Sequence, residues 1–291
     1  MTIVDPRTKP ATSDLRVTPA RGDIAAAHLR GVVEAMRFVD GTQMQIGIGR
    51  TALRNAPSDA ACRDSELLFG ERFIVYESVN GWAWGQAPCD SYVGYVRADA
   101  LCTPEPAPAH RVTALGTPVL YAPDIKSAAR DMLPMNAQIC VRESAGHYAR
   151  IGESAFVYAR HLAALDTPAP DWVAVAQRFI GAPYVWGGKT SAGLDCSGLI
   201  QLALQAAGAN PPRDADMQEA AIGTAVDCDA RFANLQRGDL VFWDGHVGVM
   251  VDADMLLHAN AFHMEVACEP LAQAAARIAQ TAGPVTSIKR L

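Results

Sequence analysis

A cysteine stands at the predicted start of a helix, in Asp195-Cys196-Ser197-Gly198. Unpaired backbone N–H groups and the helix dipole favour a thiolate there, and the thiolate is the form that attacks a carbonyl carbon. The competing reading is a buried structural cysteine, the commonest use of this residue. A nucleophilic thiol needs a base. His246 follows the Asp244-Gly245 turn at the start of a predicted strand. It shares one strand face with Gly248 and Met250, while Val247, Val249 and Val251 take the other, which reads as core. The turn at Asp252-Ala253-Asp254 folds the next strand back and sets His258 roughly opposite His246. Nucleophile, base and orienter would then be present together. Each histidine taken alone also fits an ordinary hydrogen-bonded residue. The nearby His263 reads as a loop or surface residue.

Other chemistries fit less well. Cys196, His246 and His258 fall short of the four ligands of a structural zinc site. Trp186-Gly187-Gly188 lacks the Gly-x-x-x-x-Gly-Lys-Ser/Thr pattern of a phosphate loop, and no Gly-x-Ser-x-Gly elbow occurs. No metal or cofactor is expected. The chain has 7 cysteines, an odd number, and none are spaced Cys-x-x-Cys. A disulfide framework is therefore not expected, reduced thiols fit a reducing compartment, and most of the cysteines are expected to be buried small hydrophobes.

The elements that must position these residues lie in the last third of the chain. Asp171 can cap a helix carrying Val173, Val175, Ala176, Phe179 and Ile180. A second helix is predicted from about Cys196 to Ala207. Strands follow at 240–243, 246–251 and 256–259. Helices followed by an antiparallel sheet make an α+β domain.

Two Pro-rich connectors, around 102–108 and 166–170, divide the chain into pieces of roughly 100, 60 and 120 residues. The first two pieces share a weak repeat: Ala56-Pro57, Glu77-Ser78 and Trp82-Ala83 recur as Ala122-Pro123, Glu143-Ser144 and Tyr148-Ala149, always 66 positions on. Asn80-Gly81 between Phe73-Ile74-Val75-Tyr76 and Trp82-Ala83-Trp84 is a hairpin signal. Short strands with frequent turns predict two small barrels. Trp82 and Trp84 read as core and rim or as a ligand groove. Asp23 to Phe38 has helical spacing and predicts a short helix ahead of them. The expected divisions are an N-terminal segment with that helix at 1–48, barrels at 49–103 and 110–165, and an α+β domain at 171–291.

Of the 291 residues, 50% are hydrophobic and 19% charged, which excludes a disordered chain. The net charge of −6, with no basic run, speaks against a nucleic-acid or anionic-membrane partner. No apolar stretch of about 18 residues predicts a membrane span. The first residues lack the apolar core of a secretory signal, so the cytoplasm is the expected compartment.

Pro183-Tyr184-Val185-Trp186-Gly187-Gly188, Asp195-Cys196-Ser197-Gly198-Leu199, Arg237-Gly238-Asp239-Leu240-Val241-Phe242 and Gly245-His246-Val247-Gly248 stand in this order. Together they resemble the NlpC/P60 cysteine peptidases, over about residues 171–291. The resemblance implies a papain-like core with Cys196 as nucleophile, His246 as base and His258 as third polar residue. With two SH3-like barrels ahead, the arrangement is similar to the γ-D-glutamyl-L-diamino acid endopeptidases. That group cuts murein peptides with a free N-terminal L-alanine, and its first barrel helps bind the amine through an acidic residue and a tyrosine. Asp195 matches the Asp preceding the nucleophile, and equally suits a helix cap. Tyr92, with Tyr95 second, is the match for the tyrosine, though barrel tyrosines commonly serve packing. Glu71 is the match for the acid, and Trp186 and Ser197 match cleft-lining positions. Ala215 departs from the Ser that relatives often carry. The resemblance implies a cytoplasmic, monomeric, cofactor-free peptidase acting in wall-peptide recycling. Two rivals are an amidase or acyltransferase of the same family and a peptidoglycan-binding module with an inactive peptidase domain.

Overall fold

The computed structural model describes residues 14–227 and 232–291, so Cys228 lies outside the described residues. A seven-stranded sheet comes first, in the order 63–68, 50–54, 93–97, 82–86, 72–79, 42–46, 101–102. Its strands alternate, and the inward set of Ile46, Leu53, Leu67, Phe73, Ala83 and Val96 forms one core. Asn80 and Gly81 both take positive φ at the hairpin between Arg72–Val79 and Trp82–Gln86. Strand Thr42–Ile46 belongs to this sheet, so the module begins ahead of the expected position 49.

The predicted helix within 23–38 is not formed. Ile24–Ala26 instead pairs in parallel with Arg37–Val39, with one 3-10 turn at Ala27–Leu29 between them. Val32 and Met36, two of the residues that set the helical spacing, are exposed. Gly31, directly before Val32, takes positive φ, where an α-helix cannot continue.

A second β unit follows, with a five-stranded sheet ordered 129–134, 116–120, 155–158, 148–152, 143–145 and a three-stranded one ordered 138–139, 110–112, 162–164. Strands Arg50–Arg54, Arg63–Leu68 and Trp82–Gln86 recur 66 positions further on, as Gly116–Leu120, Ala129–Pro134 and Tyr148–Gly152. The repeat extends to a left-handed turn residue, Gly70 in the first copy and Asn136 in the second. The two copies touch there, with the Gln138 N–H donating to the Phe69 carbonyl at 2.8 Å. A side chain on Gly70 would collide with the Gln138 backbone. Asn136 instead uses its side chain, donating Nδ2–H to the Leu202 carbonyl of the third unit at 2.9 Å.

The third unit is built on an antiparallel six-stranded sheet ordered 224–225, 287–290, 240–243, 246–250, 255–260, 265–270. Helices Trp172–Gln177 and Cys196–Ala206 pack on one face against Phe242, Val247, Val249 and Leu257. The opposite face is also covered: Trp243, Met250 and Leu256 pack with Leu271 and Ala274 of helix Leu271–Ile278. The architecture is α+β and rich in strand. No helix among the described residues is long and apolar enough to cross a membrane.

Candidate active site

Helix Cys196–Ala206 starts at Asp195, whose carboxylate accepts from the Gly198 N–H at 2.7 Å as an N-cap. The same carboxylate accepts from the Gly187 N–H at 2.8 Å and from the buried Arg213 guanidinium at 2.7 and 2.9 Å. Arg213 also donates to Ser197 Oγ at 2.9 Å and, across the domain boundary, to Ser65 Oγ at 3.0 Å. Asp195 is therefore a structural hub with its charge paired to Arg213, and it also lines the space above Cys196.

Cys196 is buried, the only described cysteine that is: Cys62 and Cys268 are exposed, and Cys89, Cys102 and Cys140 are half-buried. The expectation of mostly buried cysteines fails accordingly. Cys196 Sγ lies 4.0 Å from the Gly245 carbonyl oxygen, where the loop enters strand His246–Met250. The thiol is pushed up to about 12, by burial first and then by the Asp195 carboxylate. The Val247 and Ser197 backbone N–H groups oppose this without overcoming it. The resting thiolate expected from the helix start is thus outweighed by desolvation.

The two histidines form the head of a hydrogen-bonded chain. His246 Nε2 is 2.8 Å from His258 Nδ1, and His258 Nε2 is 2.9 Å from Glu269 Oε1. Arg277 closes the chain, donating to both Glu269 oxygens at 2.7 and 2.5 Å. The carboxylate fixes every proton behind it. Glu269 can only accept, so His258 carries its hydrogen on Nε2 and accepts on Nδ1. His246 then carries hydrogen on Nε2, and its Nδ1 lone pair is left free to act as a base. Gly248 makes room for this, since a Cβ there would come 3.1 Å from the His258 Cβ. Burial and the neighbouring His258 lower His246 to about 3. Burial lowers His258 as well, against the pull of Glu269. Arg277 and His258 hold Glu269 down at about 2. His263 stands aside, with Nδ1 3.0 Å from Asn260 Oδ1. His258, His263 and Glu269 bring potential metal ligands within 4.8 Å of one another, but His258 and Glu269 are already committed to the chain.

A cleft of about 520 Å³ opens over Cys196, lined by Trp186, Tyr184, Tyr92 and five acids, Asp64, Asp195, Asp214, Asp216 and Asp244. The structure brings Cys196, Trp186, Asp195, Ser197 and Tyr92 together there. The Tyr92 hydroxyl donates to Asp214 at 3.0 Å. Asp64 comes from strand Arg63–Leu68 of the first barrel. Burial, then Asp214, pushes its carboxyl up; Asp214 is also raised by burial, against Arg213. Arg16 reaches the same wall, its guanidinium 2.8 Å from Asp214. Glu71 is not part of the cleft, which corrects the expectation for it. It is buried at the domain boundary, accepting from the Leu68 N–H at 2.9 Å and pairing with the buried Lys189 at 3.3 Å. Tyr95 lies elsewhere on the barrel, bonded to Arg21 at 2.7 Å. Ala215 lines the cleft with its methyl group.

Sequence reasoning missed Asp64, Arg213, Asp214, Glu269 and Arg277. Arg213 and Asp214 had a nearby signal, as neighbours of the flagged Ala215. The others are joined to the site by tertiary contacts with no local pattern.

A capped cysteine beside a histidine chain, on an α+β domain behind β modules, defines the class of protein. The chain contains an NlpC/P60 domain preceded by a bacterial SH3 domain: residues 181–281 match the NlpC/P60 family, and residues 53–101 match the bacterial dipeptidyl-peptidase Sh3 domain. The chain is similar to the Lysinibacillus sphaericus "Dipeptidyl-peptidase 6", 36% identical over 94 residues that cover 32% of this chain and 33% of the relative. It is also similar to the Bacillus subtilis "Gamma-D-glutamyl-L-lysine dipeptidyl-peptidase", 35% identical over 100 residues covering 31% and 32%. The matches thus span about a third of these relatives. Among solved structures, an NlpC/P60 family protein from Bacillus cereus superposes with a TM-score of 0.71 at 18% identity, covering 86% of this chain and 99% of that one. That likeness extends the shared fold through the β modules.

Proposed function

We propose that the protein is a cysteine endopeptidase that hydrolyses the γ-D-glutamyl–diamino acid bond of murein peptides bearing a free N-terminal L-alanine. Its role would be cytoplasmic recycling of wall fragments, as a monomer. The observation that carries this reading is the cleft wall. Asp64 and Asp214 face the space above Cys196, both with carboxyl groups destabilised by burial, beside the Tyr92 hydroxyl. A substrate ammonium between them relieves that destabilisation. A blocked amine cannot relieve the desolvated Asp64 carboxylate, whereas Asp214 already pairs with Arg16. Intact wall, where alanine is acylated, is spared. The names of the similar proteins support the bond.

The chemistry follows from the hydrogen-bond chain. Cys196 starts as a thiol and passes its proton to His246 Nδ1 as Sγ attacks the γ-carbonyl carbon. The Cys196 backbone N–H at the helix start stabilises the oxyanion. His246, now an imidazolium, is held by His258 and the Glu269 carboxylate behind it. It protonates the departing amine, leaving a thioester. Water attacks that thioester, giving a proton to His246, and the acid product leaves as the thiol regains its hydrogen.

The test is mass spectrometry on L-Ala-γ-D-Glu-diaminopimelate, beside the N-acetylated peptide and a Cys196→Ala control. Release of L-Ala-D-Glu from the free peptide alone, lost in the variant, is the expected result. Equal cleavage of the acetylated peptide overturns the amine gate. No cleavage of either by folded protein favours an amidase or a binding module.

A further inference from the structure

A second cavity, of about 460 Å³, lies against His246 and shares Tyr184 with the cleft above Cys196. If the peptide reading above holds, the scissile bond lies between the two. The acyl half, with its free amine, occupies the acid-walled side, and the departing diamino acid enters the second cavity, beside the imidazole that protonates it. The two cavities differ in charge. Arg277 lines the second, and among the described residues no Asp or Glu does. Glu269 pairs with Arg277 but is turned inward to His258, so the pair shows its cationic end to the cavity. A guanidinium has five N–H donors, and the Glu269 bonds use one on each of Nη1 and Nη2. The exposed Phe262 ring, 4.2 Å from the guanidinium carbon, backs the group and offers an apolar wall for a methylene chain.

We infer that this cavity is the leaving-group subsite and that it selects a diamino acid whose far end carries a carboxylate, such as diaminopimelate, over lysine. The far carboxylate meets Arg277 as a second acidic partner. The ε-ammonium of lysine would be desolvated beside a cation, with no acid lining the cavity.

The experiment compares kcat/KM of the full chain for L-Ala-γ-D-Glu-diaminopimelate and L-Ala-γ-D-Glu-L-Lys. The expected preference is at least about tenfold for the former. Arg277→Gln lowers both rates, because it also loosens Glu269, so the readout is the ratio, which falls toward one. Thr281→Glu, which places an acid on the cavity wall away from the histidine chain, shifts the ratio toward lysine. Equal or lysine-favouring values for the parent chain, with cleavage intact, overturn the selectivity and leave the peptidase reading standing. A ratio unmoved by both variants overturns the assignment to this cavity. Failure to cut either peptide brings down the peptidase reading and this inference with it.

Discussion

At Cys196 two forces of opposite sign meet, and their sizes decide the resting state of the thiol. The helix start and two backbone N–H groups favour the thiolate, while burial and Asp195 favour the thiol and prevail. His246 is likewise held neutral. The resting pair is a thiol and an imidazole, and in the proposed mechanism the proton moves with the attack. Alkylation of Cys196 by iodoacetamide should therefore climb roughly tenfold per pH unit from pH 6 to 9, following the small thiolate fraction. A plateau beginning near neutrality would mean a preformed ion pair. The sign also bears on acidic conditions. An imidazole lowered below its ordinary value stays unprotonated as pH falls past 6.5, so the proposed activity is expected to persist there.

The elements show what could be read from the chain and what could not. Asp171 and Asp195 were legible as caps because a cap is a local event: a side chain bonds an N–H three residues on. The Asn80-Gly81 hairpin was legible for the same reason. The segment around 23–38 misled because helical spacing alone does not make a helix, and Ile24–Ala26 pairs with Arg37–Val39 as short strands instead. Asp195 was legible as a residue but not in its role, since its partner Arg213 lies beyond the end of the helix that Asp195 caps. Asp195→Ala removes the cap and strands a buried guanidinium. A loss of about 3–5 kcal/mol in urea unfolding is expected, together with loss of activity. Asp195→Asn keeps an acceptor for the cap and should lose less.

Across the whole molecule, the first barrel and the NlpC/P60 domain are joined by buried polar pairs. Lys189 is fully buried. Burial works against its charge, yet Glu71 holds it above its ordinary value. Such a pair binds little more strongly than two apolar side chains, but half of it is costly. Glu71→Leu should cost about 3–5 kcal/mol in chemical denaturation, and Glu71→Leu with Lys189→Met should recover most of that. A double variant as unstable as the single would show that Glu71 acts through some other contact. Domain docking of this kind sets Asp64 and Tyr92 on the cleft wall, which is why no reading of one domain by itself completes the site.

The turn shared by Gly70 and Asn136 bears on how such a chain could arise. If the two barrels descend from one copied segment, both copies began with the same residue at that turn. Asparagine at 70 would drive its side chain into the Gln138 backbone. Glycine at 136 would forfeit the bond to Leu202. An identical pair therefore cannot satisfy both contacts, and the present assembly was open to the duplicated ancestor only after its halves had ceased to be alike at this one position.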